Sequence, residues 1–161
     1  ADNLLLSGVV RSTAIEDTVK IACGTVTGVH MPRSGRFRFS CYIAIDRKIE
    51  GEAKAAAMAA FVTDPFLKFA IVVDHDVDIT SDTEVMHAIA TRVRADRDIF
   101  MVPYAKGSPL DPASYDPKAG SHLVTKMGID ATRKDNYPAE IYVPGNEDID
   151  MSEFIPEYDK L

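Results

Sequence analysis

Cysteine is scarce in this chain. Cys23 and Cys41 stand alone, far apart and with no C-x-x-C spacing. A zinc ribbon or a dithiol redox site therefore lacks its ligands, and two free thiols in a reducing cytosol are expected. No apolar run approaches the roughly 20 residues that a membrane span needs. Leu4-Leu5-Leu6 is too short for a signal-peptide core and has no basic residue ahead of it. Positive charge is also in deficit: 18 Lys and Arg against 25 Asp and Glu give a net charge of -7. Such a surface repels a phosphate backbone, which argues against a nucleic-acid partner. The G-x-S-x-G elbow, the P-loop and H-E-x-x-H are all missing. The chain begins at Ala1 without an initiator methionine, as a trimmed product or a piece of a longer protein would.

What remains is enough for one domain with a real core: 161 residues, 46% hydrophobic and 27% charged. Thr13-Ala14-Ile15-Glu16 has the form of a capping box and predicts a short helix to about Cys23, ended by Gly24. Val26 to Met31 predicts a strand, and Pro32 with Gly35 a turn. Phe37, Phe39, Cys41, Ile43 and Ile45 alternate with Arg36, Arg38, Ser40 and Tyr42, a period of two that predicts a second strand over Phe37 to Ile45 with one buried face. The two strands should form an antiparallel hairpin.

Gly51 to Val62 is alanine-rich and favours helix, with Asp64-Pro65 as its stop. Leu67 to Val73 is apolar except for Lys68 and predicts a strand covered on both faces. Ser81-Asp82-Thr83-Glu84 is a second capping box, opening a helix whose apolar face is Val85, Ala88, Ile89 and Val93. Ile99 to Val102 predicts a strand ended by Pro103. Helices between strands imply parallel pairing among the later strands. The expected fold is α/β: a mixed sheet with parallel later strands, an antiparallel edge hairpin and helices packed on it. After Pro103 come turn-rich stretches, Gly107 to Pro112 and Tyr115 to Gly120, and a long loop of that kind is usually functional or disordered. Val124 to Ile129 predicts one short strand. Residues 1–134 read as the α/β domain, and residues 135–161 as an extended acidic tail.

Three groups of residues are candidates for chemistry. Asp74, Asp76 and Asp78 follow a buried strand, where open α/β sheets often bind ligands, and alternate acids suit a hard cation. An EF-hand is excluded, because Ile79 and Val85 occupy the positions that need glycine and glutamate. The plainer reading has these acids capping the next helix and pairing with Arg92, Arg94 or Arg97. His30, His75, His87 and His122 show no metal spacing, so no metal ligand is assigned. Thr125-Lys126-Met127-Gly128 places a lysine on a short strand, where it can reach a phosphate as a point charge, with Gly128 permitting close backbone approach and Asp130 orienting the lysine or capping a turn. A solvated surface lysine is the ordinary alternative.

Several landmarks fall in an order that resembles the C-terminal domain of the UbiD-type decarboxylases. They are Gly51-Glu52-Ala53-Lys54, Asp64-Pro65-Phe66-Leu67-Lys68, Val72-Val73-Asp74, Asp76-Val77-Asp78-Ile79, Ala90-Thr91-Arg92, Asp96-Arg97-Asp98, Leu110-Asp111-Pro112 and Lys126-Met127-Gly128-Ile129-Asp130-Ala131-Thr132. The likeness runs from about Leu4 to Thr132. It implies reversible, non-oxidative decarboxylation of an aromatic, heteroaromatic or α,β-unsaturated carboxylic acid with prenylated FMN. It implies that Lys126 reaches the cofactor phosphate. The family's catalytic arginine and acids, and its divalent-metal and potassium sites, belong to a preceding flavin-binding domain, so no catalytic or metal residue is assigned here. This chain alone is then expected to be inactive. The likeness further implies a flavin-binding domain, on the same or a partner chain, that this domain closes over, and a cytoplasmic homo-oligomer. Two other readings stay open: a separate non-catalytic assembly subunit, and an unrelated metal-binding domain using Asp74, Asp76 and Asp78.

Overall fold

The computed structural model describes residues 2–134; the acidic tail expected over 135–161 lies outside them. Helix α1 (Asp2–Ala22) leads into strands β1 (Val26–His30) and β2 (Ser40–Ile45). Helix α2 (Glu52–Thr63), strand β3 (Phe69–Asp74), helix α3 (Asp82–Arg92) and the short helix α4 (Ala95–Asp98) follow. Strands β4 (Ile99–Lys106), β5 (Tyr115–Asp116) and β6 (Ser121–Ala131) complete the elements of the described residues. The sheet order is β1-β2-β3-β6-β4, with β5 pairing β6 off that path.

The expected mixed α/β sheet is present, with parallel and antiparallel strands and helices packed on it. β1 and β2 form the antiparallel edge hairpin, and β2, β3 and β6 run parallel. One strand departs from expectation: β4 lies antiparallel to β6. Ile99 opens β4 opposite Ile129, which itself stands beside Ile71 of β3. α3 and α4 therefore return the chain near the end of the sheet where β3 left it, and no crossover of the full sheet takes place.

Sheet alternation sorts the core into two layers. Cys41, Ile43 and Ile45 of β2 and Ala70 and Val72 of β3 pack with Ile15 and Val19 of α1 and with α2. Ala53, Ala56, Ala57 and Ala60 are at most 1% exposed, so α2 presents mostly small side chains to the sheet, with Phe61 meeting Phe100 at its end. On the other face Tyr42, Ala44, Ile71, Val73, Ile129 and Ala131 pack with Val85 and Ala88 of α3. Each large aliphatic side chain removed from water contributes roughly 1.5–3 kcal/mol.

Three local expectations are corrected. The Thr13 capping box is not a helix start, because α1 runs unbroken from Asp2 and the Thr13 hydroxyl donates to Val9 O within it (3.1 Å). Gly8, the weakest helix former in α1, sits where a Cβ would lie 2.9 Å from Phe37 Cβ, so its smallness serves packing. The second strand starts at Ser40, not Phe37: Arg36 and Phe37 have φ of 59° and 54° and wind a turn. Both faces of that strand are buried, because α1 and α2 cover one face of the sheet and α3 covers the other. The second capping box is half formed. Ser81 Oγ accepts from Glu84 N (3.3 Å), while the Glu84 carboxylate accepts from Asp78 N (3.0 Å).

Candidate functional site

The densest polar construction surrounds the loop between α2 and β3. Asp64 caps the C-terminus of α2, its N–H donating to Ala60 O, and its Oδ1 accepts from Phe66 N at 2.9 Å. Its Oδ2 is ion-paired to Arg11 of α1. The guanidinium groups of Arg11 and Arg38 lie 5.1 and 5.5 Å from the Phe66 ring centre, a double cation–π contact. Neither arginine was signalled by spacing in the sequence, since Arg11 is 53 residues from its partner Asp64.

Lys126 belongs to this construction. It lies on β6 where Met127 stands beside Phe69 of β3, so its side chain crosses under the start of β3. It is 4% exposed, and Nζ donates to Pro65 O (2.9 Å) and Leu67 O (2.7 Å). The ammonium also lies 5.4 Å from the Phe61 ring centre. Burial lowers its pKa below the usual lysine range, with the Asp64 carboxylate pulling the other way. Two carbonyls use two of its three N–H groups and bring no formal negative charge. Beneath it, burial pushes the Cys41 thiol well up; Cys41 and Cys23 are both free and buried.

Gly128 makes room for a neighbouring side chain. A Cβ there would lie 2.1 Å from Phe100 Cε1, so the glycine seats that ring against the sheet. Asp130 does not orient Lys126. It accepts from Thr132 N (3.0 Å) and Thr132 Oγ1 (2.6 Å), capping the turn after β6, and pairs with Lys134 at 2.8 Å.

The acids after β3 form an ion-pair network. Arg92, its side chain 9% exposed, donates to Asp74 Oδ2 (2.8 Å) and reaches Asp76 Oδ2 (3.4 Å). Arg133 adds its backbone N–H to Asp74 (2.6 Å) and its guanidinium to Asp76 (2.6 Å). Asp78 turns away and accepts from Thr80 N and Oγ1 (2.8 and 2.7 Å). Of the three arginines expected there, Arg92 makes the contact; Arg94 and Arg97 pair with Asp96 and Asp98. Among the described residues no three His, Cys, Asp or Glu side chains converge on a metal position. The histidines are dispersed: His30 tilts against Tyr42, His75 lies 3.7 Å from Asp46, His87 is exposed on α3, and His122 meets Ser114. No described helix is long and apolar enough to cross a membrane.

A mixed sheet stapled by a buried lysine defines an α/β domain with a buried cation at one strand and a neutralised acid cluster at another. Residues 5–131 match the 3-octaprenyl-4-hydroxybenzoate carboxy-lyase C-terminal domain, and the chain belongs to this UbiD family. It is 41% identical over 133 residues to anhydromevalonate phosphate decarboxylase of Aeropyrum pernix, covering 82% of this chain and 29% of that protein. It is 31% identical over 140 residues to gallate decarboxylase of Lactiplantibacillus plantarum, covering 81% of this chain and 29% of that protein. Its fold is similar to the UbiD-class enzyme HmfF from Pelotomaculum thermopropionicum in complex with FMN, with a TM-score of 0.80 and 40% identity over 95% of this chain and 34% of that one. HmfF has also been solved, as an evolved dimeric form, with prenylated FMN. The apo 3,4-dihydroxybenzoic acid decarboxylase AroY of Klebsiella pneumoniae gives a TM-score of 0.78 at 28% identity, over 96% of this chain and 33% of that one. The chain thus spans about three tenths of the length of the curated relatives it matches.

Proposed function

We propose that this domain serves a UbiD-type carboxy-lyase that removes carbon dioxide, reversibly and without net oxidation, from a small aromatic, heteroaromatic or α,β-unsaturated carboxylic acid. The observation that carries this reading is the family match over residues 5–131, joined to relatives that are decarboxylases. When bound, prenylated FMN supplies an acceptor for the electron pair left as carbon dioxide departs. The catalytic acids, the proton donor, the divalent metal and the potassium ion are assigned to the flavin-binding domain, on the same or a partner chain. This domain contributes a wall of the pocket, a homo-oligomer contact and one phosphate anchor, in a cytoplasmic enzyme. On its own it does not turn over substrate.

The anchor is Lys126. Its fit to a phosphate rests on the remaining N–H and on the electrostatic state of the site. A desolvated ammonium held only by carbonyls gains most when an oxyanion arrives, and a charge-assisted N–H···O bond is roughly twice as strong as a neutral one. Lys126 therefore holds the phosphate end of the cofactor while Pro65 and Leu67 hold Lys126.

Purification of the whole protein with Lys126→Met, followed by flavin absorbance per protomer, tests the anchor; reduced cofactor retention is expected, and unchanged occupancy would reject it. The wider reading is tested by assaying the whole protein and this chain separately for carbon dioxide release from cinnamate-like and hydroxybenzoate-like acids. Turnover by this chain alone would overturn the placement of the catalytic groups. An immunoblot of source cells with an antibody to residues 66–97 separates one long enzyme from a separate assembly subunit.

A further inference from the structure

A second construction lies on β6 four residues before Lys126, roughly 13 Å along the strand. The turn-rich stretch after β4 is ordered here and is built at a desolvation cost. Ser108, Asp111 and Ser114 are 2%, 6% and 1% exposed. Each has partners. Ser108 Oγ accepts from Leu110 N (3.2 Å), Asp111 Oδ1 accepts from Ala113 N (3.0 Å), and Asp111 Oδ2 meets Lys68 Nζ at 2.8 Å. Asp111 N and Ser114 N close successive turns onto Ser108 O and Asp111 O, each at 3.0 Å. Joining two strands does not require three buried polar side chains; holding a surface rigid does.

What this loop holds is His122. Ser114 Oγ lies 2.8 Å from Ser108 O, 2.8 Å from Asp111 O and 2.8 Å from His122 Nδ1. The serine has one proton, and the two carbonyls can only accept. The proton must go to a carbonyl, or two lone-pair contacts of that length would repel. Oγ therefore accepts from His122 Nδ1–H, and in the neutral imidazole this leaves Nε2 as a lone-pair acceptor. The Tyr115 ring, 5.6 Å from the imidazole centre and inclined at 58°, flanks the other side.

His122 lines an open cleft of about 500 Å³ with Tyr104, Lys106, Pro109, Ser121 and Leu123. That volume lies within the range of small-molecule sites, roughly 300–1,000 Å³. Tyr104 is placed by strain. The register slips between Val102 and Ala105, just after Pro103, and Tyr104 takes φ 54°, leaving it 82% exposed. Bulges of this kind re-aim a side chain and recur beside functional sites. Lys106 has no ion-pair partner among the described residues.

We propose that this cleft is a binding site for a small apolar hydroxy acid. Its carboxylate meets Lys106, its apolar body lies against Pro109, Leu123 and the Tyr104 ring, and its hydroxyl donates to His122 Nε2. The site is separate from the Lys126 anchor and stands or falls independently of the decarboxylase reading.

The test is titration of the full chain, isotopically labelled, followed by amide and imidazole nitrogen spectra. The probe is 2-hydroxy-4-methylpentanoate, with two comparators: 4-methylpentanoate, which lacks the hydroxyl, and 4-methylpentane-1,2-diol, which lacks the carboxylate. The probe should give saturable shifts at Tyr104–Lys106 and Ser121–Leu123, with each comparator weaker by roughly fivefold, the worth of one lost hydrogen bond. His122→Ala should erase the preference for the hydroxyl acid over 4-methylpentanoate, and Lys106→Ala the preference for the acid over the diol. Both side chains reach the surface, so both variants should fold. An imidazole spectrum with the proton on Nε2 would overturn the site, as would shifts that do not saturate or that are equal for all three compounds.

Discussion

Lys126 and Arg92 are both largely buried cations, one at the start of β3 and one at its end, and their surroundings are opposite. Arg92 meets the carboxylates of Asp74 and Asp76, with Arg133 completing the network. Lys126 meets two backbone carbonyls and no carboxylate at hydrogen-bond distance. The first cation is neutralised where it stands, so it reads as a fastening at the carboxyl end of β3. The second has its direction set by the fold, with the Asp64 carboxylate acting on it at longer range and the Phe61 ring beside it. Charge satisfaction, more than burial, is what differs between the two cations.

The comparison can be broken most directly at Arg92. Arg92→Met leaves Asp74 and Asp76 with one fewer cation and should cost about 3 kcal/mol in urea unfolding, the usual penalty for stranding a buried charge. A loss near zero would show that Arg133 suffices alone. A control on packing comes next. Gly128→Ala forces the Phe100 ring out of its seat and should cost about 2 kcal/mol, with a favourable coupling to Phe100→Ala in a double-mutant cycle. Lys126→Met should change stability by only about 1 kcal/mol or less, since relief of desolvation offsets the two lost hydrogen bonds. A loss as large as that at Arg92 would make Lys126 a structural staple.

The smallest expected effect concerns pH. Burial opposes ionisation of Asp98, but the Arg94 backbone N–H together with Arg97 and Lys134 outweighs it and holds the carboxyl below its ordinary range. A depressed carboxylate stabilises the fold above its unfolded pKa, about 3.9, and that contribution is lost as the pH falls through the lower folded value. Asp98→Asn should therefore flatten the acid limb of the stability profile below about pH 4. An unchanged limb would place the acid sensitivity in other carboxylates.

Periodicity made the central elements legible. Continuous apolar runs gave β3, alanine content gave α2, and the Ser81 cap gave the start of α3. The failures share a cause. The Thr13 motif has the letters of a cap, but a helix already in progress absorbs the hydroxyl, and only the packing of Gly8 against Phe37 shows why α1 continues. The direction of β4 depends on where α3 and α4 release the chain, a long-range outcome with no period in the sequence. At the site, Lys126 was visible as a residue type on a strand. Its carbonyl partners, at Pro65 and Leu67, are about sixty positions away and were not.

The sequence by itself determined the class of fold, the family and the chemistry open to each side chain, because apolar spacing and ordered motifs are local properties of the chain. The tertiary structure decided which charges are answered. It put two arginines on the acids after β3 and two carbonyls on Lys126, and it set His122 against a serine eight residues away. Those outcomes depend on distances between strands and on desolvation, which only the folded chain sets.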